Sequence, residues 1–318
     1  MAVYTHLGAE ELARLIAHYD VGDLVSAKGI AEGVSNSNWL VETSEGRFIL
    51  TMYERRIDTA DLPFFLGLLD HLSEAGCPVP RTIHDSAGDA WRMVDGKAVA
   101  LIEFLPGVSP TSPEPGQARA VGSALARAHL AAHDFPRARP NDLAPADTLA
   151  ILRQCGTAAL HGIDTELPAI LEIGAGILRK WPEELPQSII HSDLFPDNVL
   201  MLGERVTGMI DFYFACTGAM AYDLAVTHAA WCFDACGEQF DERLGRALVE
   251  GYEETRPLNE IERSALPLLA EGACLRFIAS RAQDWLDTPE DALVQRKNPM
   301  DFMRRLEFYR AAGQSAFA

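Results

Sequence analysis

The sequence predicts an α+β chain of two lobes, an antiparallel sheet first and a mainly helical lobe second. Three observations predict it. Residues 24–53 break into three runs of alternating character joined by short turns. A proline-rich stretch, "PGVSPTSPEPG", interrupts the chain at 106–116. Beyond it, apolar residues recur mostly at helical spacing. The division is therefore 1–105, 106–116 as a linker or hinge, and 117–318.

The elements follow in order. Residues 9–19 read as a short amphipathic helix. Strands are expected at about 24–31, 37–43 and 47–53, separated by "EGVSNS" and "SEG". A helix follows over about 60–75, stopped by Gly76 with Pro78 beyond it. "AWRMVDGKAVALIEFL" is a second hairpin, turning at Asp95-Gly96. The prolines of 106–116 can continue neither a strand nor a helix. Helices are then expected over 116–133, 145–158, 166–181, 219–236, 241–255, 259–286 and 298–311. The exception is 188–211, where short apolar runs flank a polar loop.

Bulk composition excludes several function classes. With 48% hydrophobic and 23% charged residues, the chain has the make-up of a folded protein rather than a disordered one. A formal charge of −19 argues against nucleic acid as the main partner, because phosphate neutralisation needs clustered Lys and Arg. No apolar run reaches the ~18 residues of a membrane span, and no secretory signal is evident in "MAVYTHLGAEELARL". The expectation is a cytoplasmic protein. Cys232 and Cys236 are four apart, but no second Cys/His pair follows at zinc-ligand spacing, so the six cysteines read as reduced thiols. "HLAAH" puts His129 and His133 four apart on a helix, but Leu130 stands where a zinc protease needs Glu. His129 is therefore read as packed or hydrogen-bonded.

The chemistry concentrates in "HSDLFPDNVL", residues 191–200. Crowded carboxylates between apolar runs need either a cation or a solvated turn. After Asn198 come "VLML", the turn "GER" and "VTGMIDFYF". Two strands of one hairpin are thus expected to bring Asn198 and Asp211 to the same end, with Asp193 on the loop entering the first strand. Transfer of a phosphoryl group from ATP needs Mg²⁺ on the triphosphate and a carboxylate to position the attacking hydroxyl and accept its proton. An Asn amide oxygen and an Asp carboxylate are hard oxygen ligands of the kind Mg²⁺ takes. "DLFPDN" has the D-x-x-x-x-N spacing of a kinase catalytic loop, and "IDF" follows thirteen residues beyond Asn198. Asp193 is then the base, and Asn198 and Asp211 the metal ligands. Asp197 either caps the turn or stays solvated.

The first lobe is expected to hold the nucleotide. "AEGVSNSNWLV" is a small-residue turn suited to presenting backbone N–H groups of Gly33, Ser35, Asn36 and Ser37 to phosphates, although an ordinary hairpin turn would look much the same. The strand leaving that lobe in "LIEFLPG" offers the backbone of Glu103 and Leu105 to adenine.

"HSDLFPDNVL" with "IDFYFAC" resembles the aminoglycoside phosphotransferase and choline kinase group, which has the protein-kinase-like fold. More narrowly, "KGIAEGVSNSNWLV", "FILTMYE", "DLPFFLGLLDHL", "AYDLA" and the stretch from "PLLAEGACLRF" onward resemble the homoserine kinases of that fold, over nearly the whole chain. The resemblance implies ATP- and Mg²⁺-dependent phosphorylation of the side-chain hydroxyl of L-homoserine, a step of threonine synthesis. It implies Asp193 as base, Asn198 and Asp211 as magnesium ligands, and His191 as a structural residue of the loop. Two departures from the general kinase pattern stand out: Thr51 occupies the place of the strand lysine, and Tyr213 that of the glycine after Asp-Phe.

The phosphate cation is then open. Lys28, expected on a neighbouring strand, is one candidate, and a solvated strand lysine is the other reading of it. For the substrate, Tyr213 and Asp223 could face its ammonium, and Arg276 or Arg281 its carboxylate. Asp223 could equally brace the helix after it, and the arginines could serve internal ion pairs. Two other functions compete: a kinase of the same chemistry acting on choline, an aminoglycoside or another amino alcohol, and a non-catalytic nucleotide-binding protein with a decayed site. Thr51 alone supports the last, against an intact Asp193, Asn198 and Asp211.

Overall fold

The computed structural model describes residues 7–30, 36–54, 58–289 and 296–318. The chain forms two compact units, Met1–Gly107 with Thr207–Tyr213, and Val108–Val206 with Phe214–Ala318.

The first unit is built on an antiparallel sheet. Its strands are β1 (Leu24–Ile30), β2 (Asn36–Thr43), β3 (Arg47–Tyr53), β4 (Thr82–Ile83), β5 (Arg92–Val94) and β6 (Lys97–Glu103). The order is β1-β2-β3-β6-β4, with β5 also pairing β6. Alternation along the strands gives two apolar faces. Trp39, Val41, Leu50, Met52, Val99 and Leu101 pack with Leu12, Leu15 and Ile16 of α1 (Ala9–Ile16). Tyr53, Ala98, Ala100 and Ile102 pack with Leu62 and Leu66 of α2 (Leu62–Glu74). The β5–β6 turn has Asp95 at φ 50° and Gly96 at φ 79°. Two successive left-handed residues match the twist of a tight hairpin, which is why Asp-Gly marks it in the sequence. Gly76, at φ 76°, follows the end of α2 as expected.

The second unit is mainly helical: α3 (Pro115–Ala131), α4 (Pro145–Cys155), α5 (Thr157–Ile163), α6 (Ile170–Lys180), α7 (Met220–Trp231), α8 (Glu242–Thr255), α9 (Glu260–Asp287) and α10 (Met300–Ala312). The sequence missed α5, because Gly156 at φ 83° breaks the expected 145–158 helix and a new one starts at once. Within 106–116, Val108 exchanges two backbone hydrogen bonds of 3.0 Å with Met201. The polar loop 191–198 is entered by β7 (Gln187–Ile190) and left by β8 (Val199–Leu202), which forms a hairpin with β9 (Arg205–Met209). A strand the sequence did not reveal, β10 (Cys216–Ala219), pairs antiparallel with β7, Cys216 opposite Ile190. It occupies the residues just ahead of α7, whose residues are all buried. Among the described residues no helix is long and apolar enough to cross a membrane.

Two glycines let α3 and α8 lie unusually close. A Cβ on Gly122 would collide with the Leu248 carbonyl, and one on Gly251 with the Arg119 carbonyl. In both cases the obstacle is backbone, which cannot rotate away. This approach lets Tyr252 of α8 reach His129 of α3, at 2.8 Å. Gly251→Ala should therefore push the helices apart and lower stability by about 1–3 kcal/mol, the usual cost of overpacking. Urea unfolding of the variant beside the parent protein measures this, and an unchanged midpoint would contradict it.

Candidate active site

The loop 191–198 is held from below by one carboxylate. Asp223, in the first turn of α7, is 0% exposed. Its Oδ2 accepts the backbone N–H of His191 at 2.6 Å, and its Oδ1 accepts that of Ser192 at 2.6 Å. His129 Nε2 stands 3.0 Å from Oδ2, and the other ring nitrogen meets the Tyr252 hydroxyl. Burial alone would push the Asp223 carboxyl up. The hydrogen bond with His129 and the backbone N–H of His191 outweigh burial and hold Asp223 below the ordinary carboxylate range.

This clamp stabilises an unfavourable backbone. Ser192 has φ 62°, a left-handed conformation that costs a residue with a Cβ about 1–2 kcal/mol. The Ser192 hydroxyl donates to the Phe214 carbonyl at 3.3 Å, and its own carbonyl accepts from Arg276. The turn then closes on itself. Asp193 N–H donates to His191 Nδ1 at 3.2 Å, Phe195 N–H to the Asp193 carbonyl at 2.8 Å, and Asn198 Nδ2 to the same carbonyl at 2.8 Å. Trp231 Nε1 holds the Leu194 carbonyl at 2.9 Å, and the Phe195 ring packs edge-on against Phe277. Asp193 is left with its side chain 18% exposed. Asn198 thus uses its amide nitrogen as the donor, which leaves Oδ1 as its side-chain acceptor. Asp197 is exposed, and its carbonyl accepts from the Ser109 hydroxyl at 3.1 Å.

Asp211 lies in the segment of the first unit that follows β9. It is exposed and, like Ser192, left-handed, at φ 65°. Two residues on, the Tyr213 hydroxyl meets that of Tyr53 at 3.1 Å, and its ring packs edge-to-face on Tyr53 and Phe65. Burial pushes the phenol of Tyr53 well up, and both hydroxyls stay protonated at neutral pH. Among the described residues no group of three or more His, Cys, Asp or Glu side chains is arranged to hold a metal. The sequence-derived ligands are instead one amide and one carboxylate.

Several expected site residues are placed differently. Asp223 cannot meet a substrate ammonium, because both its oxygens are buried against the loop backbone. Arg276 is 2% exposed, and its guanidinium faces Ser192 and Asp193 rather than open space. Arg281 donates to Asp301 at 2.8 Å and to the Asn298 carbonyl at 2.9 Å, and stacks on Phe302, so it too serves an internal pair. Lys28 does not sit on a strand adjacent to Thr51. It lies on β1, and β2 intervenes, with Lys28 opposite Leu40 and Thr51 opposite Asn38. Two strand spacings of ~4.8 Å plus the offset along the strand exceed what a lysine stem covers sideways. The Thr51 hydroxyl donates to Asn38 Oδ1 at 2.8 Å.

Gly33 and Ser35 lie outside the described residues. Asn36 and Ser37 belong to β2 itself and are buried, and the Ser37 hydroxyl donates to Glu54 at 2.6 Å. The N–H of Glu103 goes to the Arg81 carbonyl at 3.0 Å, which removes it from base recognition; Leu105 is half-buried beyond the strand end.

Asp223→Asn should lower stability by about 3 kcal/mol or more, because it breaks a buried charge-assisted network. It should lower kcat as well. The parent's stabilisation is present above the ordinary carboxylate pKa of about 4 and is lost on acidification through the depressed folded value. Urea midpoints of both proteins at pH 7 and pH 3.5 check this: the gap between them should narrow in acid, and a gap independent of pH would contradict it.

Comparison with known proteins adds an independent view. Residues 26–258 match the family described as phosphotransferase enzyme family. A homoserine kinase of Gluconacetobacter diazotrophicus is 48% identical, over 99% of this chain and 99% of its own. One of Nitrobacter hamburgensis is 46% identical, over 98% of this chain and 96% of its own. Among solved structures, a spectinomycin phosphotransferase in complex with ADP and spectinomycin shares the fold at 16% identity. The match has a TM-score of 0.74 and covers 98% of this chain and all of the other. The α+β kinase-like architecture, the loop 191–198 and these full-length similarities agree: the chain belongs to the phosphotransferase enzyme family and, within it, to the homoserine kinases.

Proposed function

We propose that this chain transfers the γ-phosphoryl group of ATP to the side-chain hydroxyl of L-homoserine, giving O-phospho-L-homoserine for threonine synthesis. The observation that carries the reading is similarity to homoserine kinases at 44–48% identity over at least 97% of the chain. Kinases of other amino alcohols share the fold at far lower identity; the aminopropanol kinase is 18% identical. We place the enzyme in the cytoplasm, where ATP and amino-acid precursors are available.

The residues divide the work as follows. Asp193 receives the substrate hydroxyl and accepts its proton as the bond to phosphorus forms. Its geometry supports this role: the backbone around it is locked by Asp223, Arg276 and Asn198, while its carboxylate keeps partial exposure. Asn198 Oδ1 and the Asp211 carboxylate are the ligands for Mg²⁺. The donor set suits a hard cation that takes its remaining ligands from phosphate oxygens and water, and that neutralises developing phosphate charge when bound. With Thr51 tied to Asn38, the first unit supplies no strand cation at the usual kinase place. Backbone N–H groups and the metal then carry phosphate recognition.

ADP release with L-homoserine, D-homoserine, L-serine, choline and kanamycin as acceptors tests the substrate. L-Homoserine should give the highest kcat/KM, and a clear preference for another acceptor would contradict the reading. Asp193→Asn should keep ATP binding and lose about 10²-fold or more in kcat. Near-normal turnover would remove Asp193 from the role of base. Asp211→Asn should raise the Mg²⁺ concentration required for half-maximal ADP release, and an unchanged requirement would exclude it as a ligand.

A further inference from the structure

Arg276 is a charged group where packing alone would choose an apolar one. It sits in the middle of α9, 2% exposed, against two aromatic rings. The guanidinium carbon lies 5.1 Å from the Phe214 centroid and 4.6 Å from that of Phe277. Nε is buried and has no hydrogen-bond partner among the described residues. Taking a guanidinium out of water is expensive, and replacing a whole buried ion pair by well-packed apolar groups is often neutral or stabilising. The fold therefore gains little from the charge itself.

What the charge does touch is the loop. One terminal nitrogen donates to the Ser192 carbonyl, and the other stands 3.5 Å from Asp193 Oδ1. These are the two residues on either side of the peptide that follows the left-handed φ of Ser192. Asp223 holds the N–H side of Ser192, and Arg276 holds its carbonyl side. The guanidinium fork is rigid and planar, so one contact fixes the other. The Phe214 and Phe277 rings packed against it restrict its plane. In this arrangement Arg276 faces Asp193 Oδ1, and Asn198 Nδ2 stands 3.4 Å from Oδ2.

We propose that Arg276 is a positioning residue for phosphoryl transfer. It fixes the Ser192–Asp193 peptide and one carboxylate oxygen of Asp193, and it does not bind substrate. The proposal rests on the kinase reading above. It differs from the expectation that Arg276 receives the substrate carboxylate, which its burial and its two existing contacts oppose.

The test compares Arg276→Met and Arg276→Lys with the parent, measuring kcat, both KM values and the thermal midpoint. Met keeps much of the stem volume and suits a place against two rings. The expected result for Arg276→Met is a folded protein with KM values within about threefold of the parent's and kcat lower by about 10- to 100-fold, the scale of a displaced catalytic group. Arg276→Lys keeps the charge and can make only one of the two contacts, so its kcat should fall between the two. A rise in KM for the acceptor with kcat unchanged would overturn the proposal in favour of substrate binding. Near-parent kcat in the Met variant would also overturn it. If the Met variant does not fold, the Lys variant decides: parent-like kcat refutes the proposal, and reduced kcat at unchanged KM supports it. The parent's acceptor panel comes first. A parent idle on L-homoserine but active on another alcohol fails the substrate reading and leaves the Arg276 comparison to be run with that alcohol.

Discussion

The second unit depends on one buried carboxylate. Asp223 has no exposed surface, yet it stays ionised, because two backbone N–H groups and the His129 imidazole compensate its desolvation. A carboxylate with two oxygens and several lone pairs can bond two successive amides at once, which no apolar or hydroxyl side chain can do. Directly after the two clamped amides the chain turns through Ser192, at φ 62°. The bend aims Asp193 outward. Sequence, strain and function meet at this residue pair.

The surrounding helices serve that clamp. α7 delivers Asp223 at its first turn and Trp231 at its end, one for the loop's entry and one for the Leu194 carbonyl. α3 and α8 deliver His129 and Tyr252, and they come close enough only because Gly122 and Gly251 carry no Cβ. α9 brings Arg276 to the Ser192 carbonyl and Phe277 to Phe195, and α10 brings Phe302 to Phe195. Asp193, the base proposed above, needs little reorganisation when held this way, which is how an enzyme gains from a rigid support. The stabilisation comes from many tertiary contacts, and the loop has no regular secondary structure of its own beyond a short turn at Pro196–Asn198.

Much of this was legible in the sequence where signals are local. The Asp95-Gly96 hairpin, the three strands from Leu24 to Tyr53 and the end of α2 before Gly76 follow from turn chemistry and periodicity. The D-x-x-x-x-N spacing marked the loop, and full-length resemblance marked the family. What the sequence hid depends on contacts far apart in the chain. β10 is four residues of mixed character, and it exists because β7 pairs with it. α5 follows α4 after a single glycine, a break that helical periodicity does not reveal. Lys28 was expected beside Thr51 because local runs do not give strand order, and β2 separates them. Asp223 and Arg276 looked like ligands for a zwitterion because charged residues in apolar helices attract that reading. Their partners, 31 and 84 residues away, are visible only in the folded chain.

The most direct test of the account is amide hydrogen exchange of His191 and Ser192 in the protein without nucleotide or substrate. If the Asp223 clamp presets the loop, both amides should exchange as slowly as those in the middle of α7, in spite of lying outside regular secondary structure. Exchange at the rate of an open loop, with protection gained only when ligands bind, would contradict it.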